Sequence, residues 1–250
     1  MSVYAVSDLH GQYDAFIEGI KRIGLKDTDM LYVLGDAVDR GEGGIEILRY
    51  VMSHENMDLL IGNHEFMMLN SVDPDGKNKC SGADTDLWLY YNGGRITFEK
   101  YTGLKEKDRI ALLEWLRDRY VIKTINVGGK DFCLTHSYYV PKYENKKYHE
   151  LEYAAVWNIV WTSVYRHGET KGSDIYKKYD YTFITGHVPV GYIMQNFLGD
   201  YEYNDLKIYK KGNFIDIDGG CAVGYSSTIK TGALFIRLDD MKVFEVPLKG

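Results

Sequence analysis

Three times before residue 70 the chain runs through a short apolar stretch, breaks into a tight group of polar residues, and then takes up a helical stripe. The stretches are Val3 to Ser7, Met30 to Leu34 and Met57 to Ile61. They are too short for core helices and read as strands buried on both faces. The stripes are Tyr13 to Ile23 (Phe16, Ile20, Ile23), Ile45 to Met52, and a third opening at Phe66 to Leu69. Strand alternating with helix predicts βαβ units and a largely parallel sheet. The intervening polar groups therefore fall just past the carboxyl ends of successive strands, the edge where open α/β sheets hold ligands.

Those groups are Asp8-Leu9-His10-Gly11, Gly35-Asp36-Ala37-Val38-Asp39-Arg40-Gly41 and Gly62-Asn63-His64-Glu65. Downstream, Phe132 to Thr135 and Tyr181 to Thr185 read as strands, ending at His136 and at Gly186-His187. Taken singly, Asp8 or Asn63 would serve as a helix N-cap and Asp36 or Asp39 as a turn residue. A lone histidine is more often structural than functional. Together they gather carboxylates, imidazoles and one amide at one sheet edge. Four fixed positions such as Gly-Asn-His-Glu arise by chance in roughly one chain of this length in 600, so accident explains the set poorly. Mixed O and N donors suit manganese, iron or zinc better than an all-oxygen calcium cage. Without cysteine ligands a structural zinc site is disfavoured.

Elsewhere, Ile110 to Leu116 reads as helix, and Tyr120 to Val127 as a strand joined to the next by the turn Gly128-Gly129. Phe214 to Ile217, Ala233 to Leu238 and Val243 to Val246 read as strands. Residues 72 to 94 break the pattern and read as an irregular insertion, a lid or specificity element. With an α/β first half and a strand-rich last third, the expectation is one domain over residues 1–250 with two sheets face to face.

The net charge of −6 argues against general nucleic-acid binding. Three cysteines without metal spacing argue against a disulfide framework. No apolar stretch approaches the ~20 residues of a spanning helix, and Met1 to Ser7 has no basic n-region, so a cytoplasmic location off the membrane is expected. The 22 tyrosines do not cluster in one motif, which favours packing over base stacking.

The motifs resemble those of the calcineurin-like metallophosphoesterases, and within them the phosphoprotein phosphatase family, which includes serine/threonine phosphatases and symmetrical diadenosine tetraphosphatases. The resemblance runs from Asp8 to Ile217-Asp218-Gly219-Gly220-Cys221. It implies a four-layer αββα sandwich of α/β (α+β) class and a pair of divalent transition-metal ions, manganese first and iron or zinc next. Asp8, His10 and Asp36 would bind one ion, and Asp36, Asn63, His136 and His187 the other. Water shared between the ions would attack phosphorus. His64 would be the general acid, its pKa raised by Asp39, and Arg40 a phosphate clamp. The expected function is phosphomonoester hydrolysis of the protein serine/threonine phosphatase type, on a phosphorylated protein; the alternative is symmetrical cleavage of a dinucleoside tetraphosphate, a nucleotide substrate. A catalytically silent binding module is a third reading, disfavoured because no expected ligand is missing. Oligomeric state is open.

The chain departs from the family pattern at Ile61, where arginine is common, at Ser137-Tyr138 after His136, and at Trp161-Thr162-Ser163, which lacks the second phosphate-binding arginine. Arg166 is the nearest substitute. Glu65 reads as a structural carboxylate in a first helical turn.

Overall fold

The computed structural model describes residues 1–73, 82–165 and 172–249. Two five-stranded mixed sheets face each other. The first is ordered β10-β9-β1-β2-β3 and the second β4-β5-β6-β8-β7. In the first, β1 (Val3–Val6), β2 (Met30–Val33) and β3 (Met57–Leu59) are parallel, while β9 (Gly232–Arg237) and β10 (Lys242–Pro247) close one side antiparallel. In the second, β5 (Lys130–Thr135), β6 (Thr182–Thr185) and β8 (Phe214–Asp216) are parallel, flanked by antiparallel β4 (Ile122–Val127) and β7 (Tyr209–Lys211).

The period of two along each strand divides the core. Val3 and Ala5 join Phe132, Leu134, Ile184 and Ile215 in a layer between the sheets. Tyr4 and Val6 point the other way, into a core shared with helix residues such as Phe16 and Leu48. Both faces of β1 are thus buried, which is why its sequence is continuously apolar. Helices α1 (Tyr13–Ile23), α2 (Gly44–Met52) and α3 (Asn63–Ser71) follow the three parallel strands as expected. Helix α1 stops at Gly24, whose left-handed backbone returns its N–H to the carbonyls of Ile20 and Lys21. Between β4 and β5, Gly128 and Gly129 both take positive φ (58° and 82°), as a two-residue hairpin turn requires.

Two segments differ from expectation. The stretch expected to be irregular up to residue 94 is helical over residues 83–91: α4 (Ala83–Asp86) runs into a wider turn at Leu87–Tyr91, and α5 (Arg95–Thr102) follows. Its glycines and scattered aspartates mask the helix because tertiary packing of Trp88, Thr97 and Tyr101, all buried, supplies the order that propensity does not. After α6 (Glu106–Arg117), a further helix not foreseen, α7 (Tyr153–Trp161), carries no clean apolar stripe, because Tyr153 and Trp157 are exposed while Val156, Ile159 and Val160 are buried. Among the described residues no helix is long and apolar enough to cross a membrane. Cys133 and Cys221 are buried and free; Cys80 lies outside the described residues.

Candidate active site

All six parallel strands end at the same place. Asp8 follows β1, Asp36 follows β2, Asn63 opens α3 after β3, His136 follows β5, His187 follows β6 and Asp218 follows β8. The helix-cap alternative fails: Gly62 caps α3 and Gln12 caps α1, leaving the Asn63 and Asp8 side chains to other tasks. Of the eight non-glycine residues with positive φ among the described residues, six are Asp8, His10, Asp36, Asp39, Arg40 and His187. Each such backbone costs of order 1–3 kcal/mol, so the fold holds strain where its polar side chains converge.

Asp36 lies at the centre. Its Oδ2 is 3.7 Å from His10 Nε2, 3.8 Å from His64 Nε2 and 3.5 Å from His136 Nε2. The other ring nitrogens are tied down: His10 Nδ1 lies 3.2 Å from the Val38 carbonyl, His136 Nδ1 2.8 Å from that of Leu34, and His64 Nδ1 2.6 Å from Asp39 Oδ2. With Nδ1 donating in each case, Nε2 is left facing Asp36. On the far side His136 Nε2, His187 Nδ1 and Asn63 Oδ1 stand within 3.2 Å of one another. Two donor groups result, His10–Asp36–His64 and Asp36–His136–His187, and they share Asp36. Asp8 stands outside both groups. Its Oδ2 accepts from Ser7 Oγ and from the His187 N–H, and its Oδ1 is buried without a partner.

The site holds more negative charge than positive. Burial first, then the Asp8 and Glu65 carboxylates, push Asp36 well above the usual carboxylate range. Asp218 is raised by burial and by Asp8, and Asp216 by burial and Asp218. A divalent cation would reverse that imbalance, and carboxylate, imidazole and amide donors are a set that transition metals accept. The residues therefore fit the expected ions.

The Asp39–His64 pair corrects one expectation. Asp39 was to raise the histidine pKa. Both groups are enclosed, and desolvation outweighs their attraction: burial, then Arg40, pushes His64 well down, and burial lifts Asp39 to about 7 against hydrogen bonds from Thr97 and Trp88.

Glu65 does more than sit in a first turn. Fully buried, it accepts from the N–H groups of Asp36 (2.8 Å), Ala37 (2.8 Å) and Gly62 (3.0 Å), clamping the Asp36 loop to the start of α3. Nothing larger than glycine fits beside this junction, since a Cβ at position 62 would meet Asp36 Oδ1 at 2.2 Å. Gly186 is held to the same standard, by Asp8 Oδ2 and Ser7 Oγ at 2.1 Å. Glu65→Gln turns an acceptor into an NH2 group facing N–H donors. It is expected to cost ~2–3 kcal/mol and lower the thermal midpoint by ~5 °C or more. A midpoint within about 1 °C of the parent would show the clamp to be dispensable.

The cleft over these residues holds about 340 Å³. Arg40, exposed, is the only guanidinium or ammonium group lining it among the described residues. Trp161 forms one wall, its ring edge-on to His187 at 6.2 Å and stacked on Trp157 at 5.2 Å. Tyr192, Phe197, Val188 and Val223 form another. Ser137, where the family pattern was broken, donates to the Thr162 carbonyl at 2.7 Å and so ties the end of β5 to the end of α7 beneath Trp161. Ile61, in place of the family's arginine, is buried. Arg166 lies outside the described residues. Trp88, Trp161 and Asp218 were not among the expected site residues; Trp161, in the family-pattern position at 161–163, and Asp218, after a predicted strand, each carried a signal, and Trp88 carried none.

A family model for calcineurin-like phosphoesterases matches residues 1–217. The chain belongs to the calcineurin-like phosphoesterase family. It is therefore similar to hydrolases that use divalent metal ions. Curated relatives include the symmetrical bis(5'-nucleosyl)-tetraphosphatases of Acidovorax sp. (strain JS42), 30% identical over 57% of this chain and 46% of that protein, and of Acidovorax ebreus (strain TPSY), 31% identical over 57% and 46%. The chain thus spans about half the length of the curated relatives it matches. Among solved structures, a candidate diadenosine tetraphosphatase superposes with a TM-score of 0.61 at 14% identity, over 100% of this chain and 94% of that one. A protein serine/threonine phosphatase from Saccharomyces cerevisiae does so with a TM-score of 0.51 at 13% identity, over 100% and 80%. These likenesses establish the αββα metallophosphoesterase fold of this calcineurin-like phosphoesterase.

Proposed function

We propose that this calcineurin-like phosphoesterase cleaves dinucleoside tetraphosphates symmetrically. The carrying observation is the cleft, where aromatic walls at Trp161 and at Tyr192–Phe197 flank the imidazole–carboxylate cluster. Base stacking on such faces contributes ~1–3 kcal/mol per base, which a phosphoserine side chain would forgo. The curated tetraphosphatases support this reading, the alternative in the sequence analysis, over the protein serine/threonine phosphatase type expected first.

In this reading Asp8, His10 and Asp36 hold one divalent ion and Asp36, Asn63, His136 and His187 the other. When bound, the ions neutralise phosphate oxygens and lower the pKa of coordinated water. Arg40, at the rim, presents a planar fork to a phosphate. His64 turns Nε2 to the cleft while Asp39 fixes Nδ1, so it donates a proton to the departing nucleoside diphosphate. An anionic phosphate beside Nε2 favours the imidazolium and offsets the push from Arg40 and burial.

The test is turnover with added manganese of diadenosine tetraphosphate against a phosphoserine peptide. The tetraphosphate is expected to lead by ~100-fold in kcat/KM, the equivalent of stacking one or two bases. ADP should be the sole nucleotide product. A faster peptide reaction would restore the phosphoprotein reading, and AMP with ATP as products would refute symmetrical cleavage.

A further inference from the structure

We infer that Trp88, from the segment after the third strand–helix unit, is a positioning residue for the Asp39–His64 pair. Its indole Nε1–H donates to Asp39 Oδ2 at 2.8 Å, the same oxygen that lies 2.6 Å from His64 Nδ1. Trp88 is fully buried, as is Asp39. The inference rests on the reading of His64 as general acid.

The segment grips Asp39 and Arg40 at three points. Besides the indole contact, the Asp39 N–H donates to Thr97 Oγ1 at 2.9 Å, and the Arg40 N–H to the Gly93 carbonyl at 3.2 Å. Asp39 and Arg40 are consecutive residues with left-handed backbone, at φ 72° and 69°, a conformation that persists only where surroundings enforce it. Asp39 Oδ1 is buried without a hydrogen-bond partner, so with the Thr97 hydroxyl alongside, the contacts of His64 and Trp88 on Oδ2 are the ones that hold the carboxylate's rotation. Removing the indole N–H leaves Asp39 free to turn, and with it the ring that must aim a proton at the leaving oxygen. The indole is itself seated closely: a Cβ at Gly94 would come within 2.4 Å of Nε1. What the sequence presents as a lid is, at this point, a brace.

Two aryl phosphates that differ only in leaving group, p-nitrophenyl and phenyl, separate proton donation from the rest of catalysis, because only the more basic phenolate needs the acid. The phenyl/p-nitrophenyl ratio of kcat, measured in one preparation, does not depend on how much of the protein is folded. Trp88→Phe is expected to lower that ratio about tenfold, roughly one charge-assisted hydrogen bond, with KM little changed. Gly94→Ala, which keeps the indole but crowds it off Asp39, is expected to lower it likewise. If His64→Ala lowers the ratio and neither of these variants does, the brace is overturned and the general acid stands. If His64→Ala leaves the ratio alone, the general-acid reading itself falls. A readout without turnover is the indole N–H resonance, assigned as the one of four lost in Trp88→Phe. It is expected to shift in Asp39→Asn, and an unmoved resonance overturns the contact.

Discussion

Asp36→Asn is expected to abolish binding of both metal equivalents and to lower kcat by more than ~100-fold. The change is one atom, and the side chain keeps its shape, so stability serves as the control rather than the readout. Asp36 Oδ2 lies within 3.8 Å of three imidazole nitrogens and belongs to both donor groups, so no other residue among those described can hold the two halves in register. Removing a neighbour that merely orients a ligand costs ~10–100-fold, and a shared ligand carries more. The substitution also relieves charge in a buried site whose carboxylates repel one another, so the metal-free variant is expected to be at least as stable as the metal-free parent. Metal content by elemental analysis or calorimetry is the measurement. Two equivalents bound at parental affinity would remove Asp36 from the bridging position.

His64→Ala should separate chemistry from metal binding. The expected result is a fall in kcat of ~10²–10⁴ with both metal equivalents retained. The geometry makes this a real choice between roles, since His64 Nε2 also faces Asp36 Oδ2 within the group that contains His10. Its Nδ1 bond to Asp39 favours the acid: the carboxylate fixes the ring with Nε2 toward the cleft, where an anionic phosphate supports the proton that burial opposes. Loss of one metal equivalent together with activity would instead make His64 a ligand. Equal activity with equal metal would take it out of the reaction.

The site was legible because its signal is local. Each of Asp8, Asp36 and Asn63 follows a short, largely apolar strand of the parallel set, and the same rule pointed to His136 and His187. A parallel strand's carboxyl end is a fixed place in the fold, so a polar residue there is positioned by pattern alone. Trp88 could not be read this way. Its partner is 49 residues earlier, and nothing in its neighbours marks it off from an ordinary core tryptophan. Glu65 was visible as a first-turn carboxylate but not as the acceptor for a loop 28 and 29 residues away.

The sequence by itself determined the alternation of strand and helix, the edge at which ligands would gather, and the inventory of donors, because burial periodicity and steric rules act over a few residues. Tertiary structure decided what those donors do to one another. Only packing could enclose the Asp39–His64 pair until desolvation reversed the direction of its expected pKa shift, stand Trp161 beside His187, and bring a helical brace onto the carboxylate behind the acid. Dielectric, distance and orientation belong to residues that meet across the fold, and no single stretch of chain carries them.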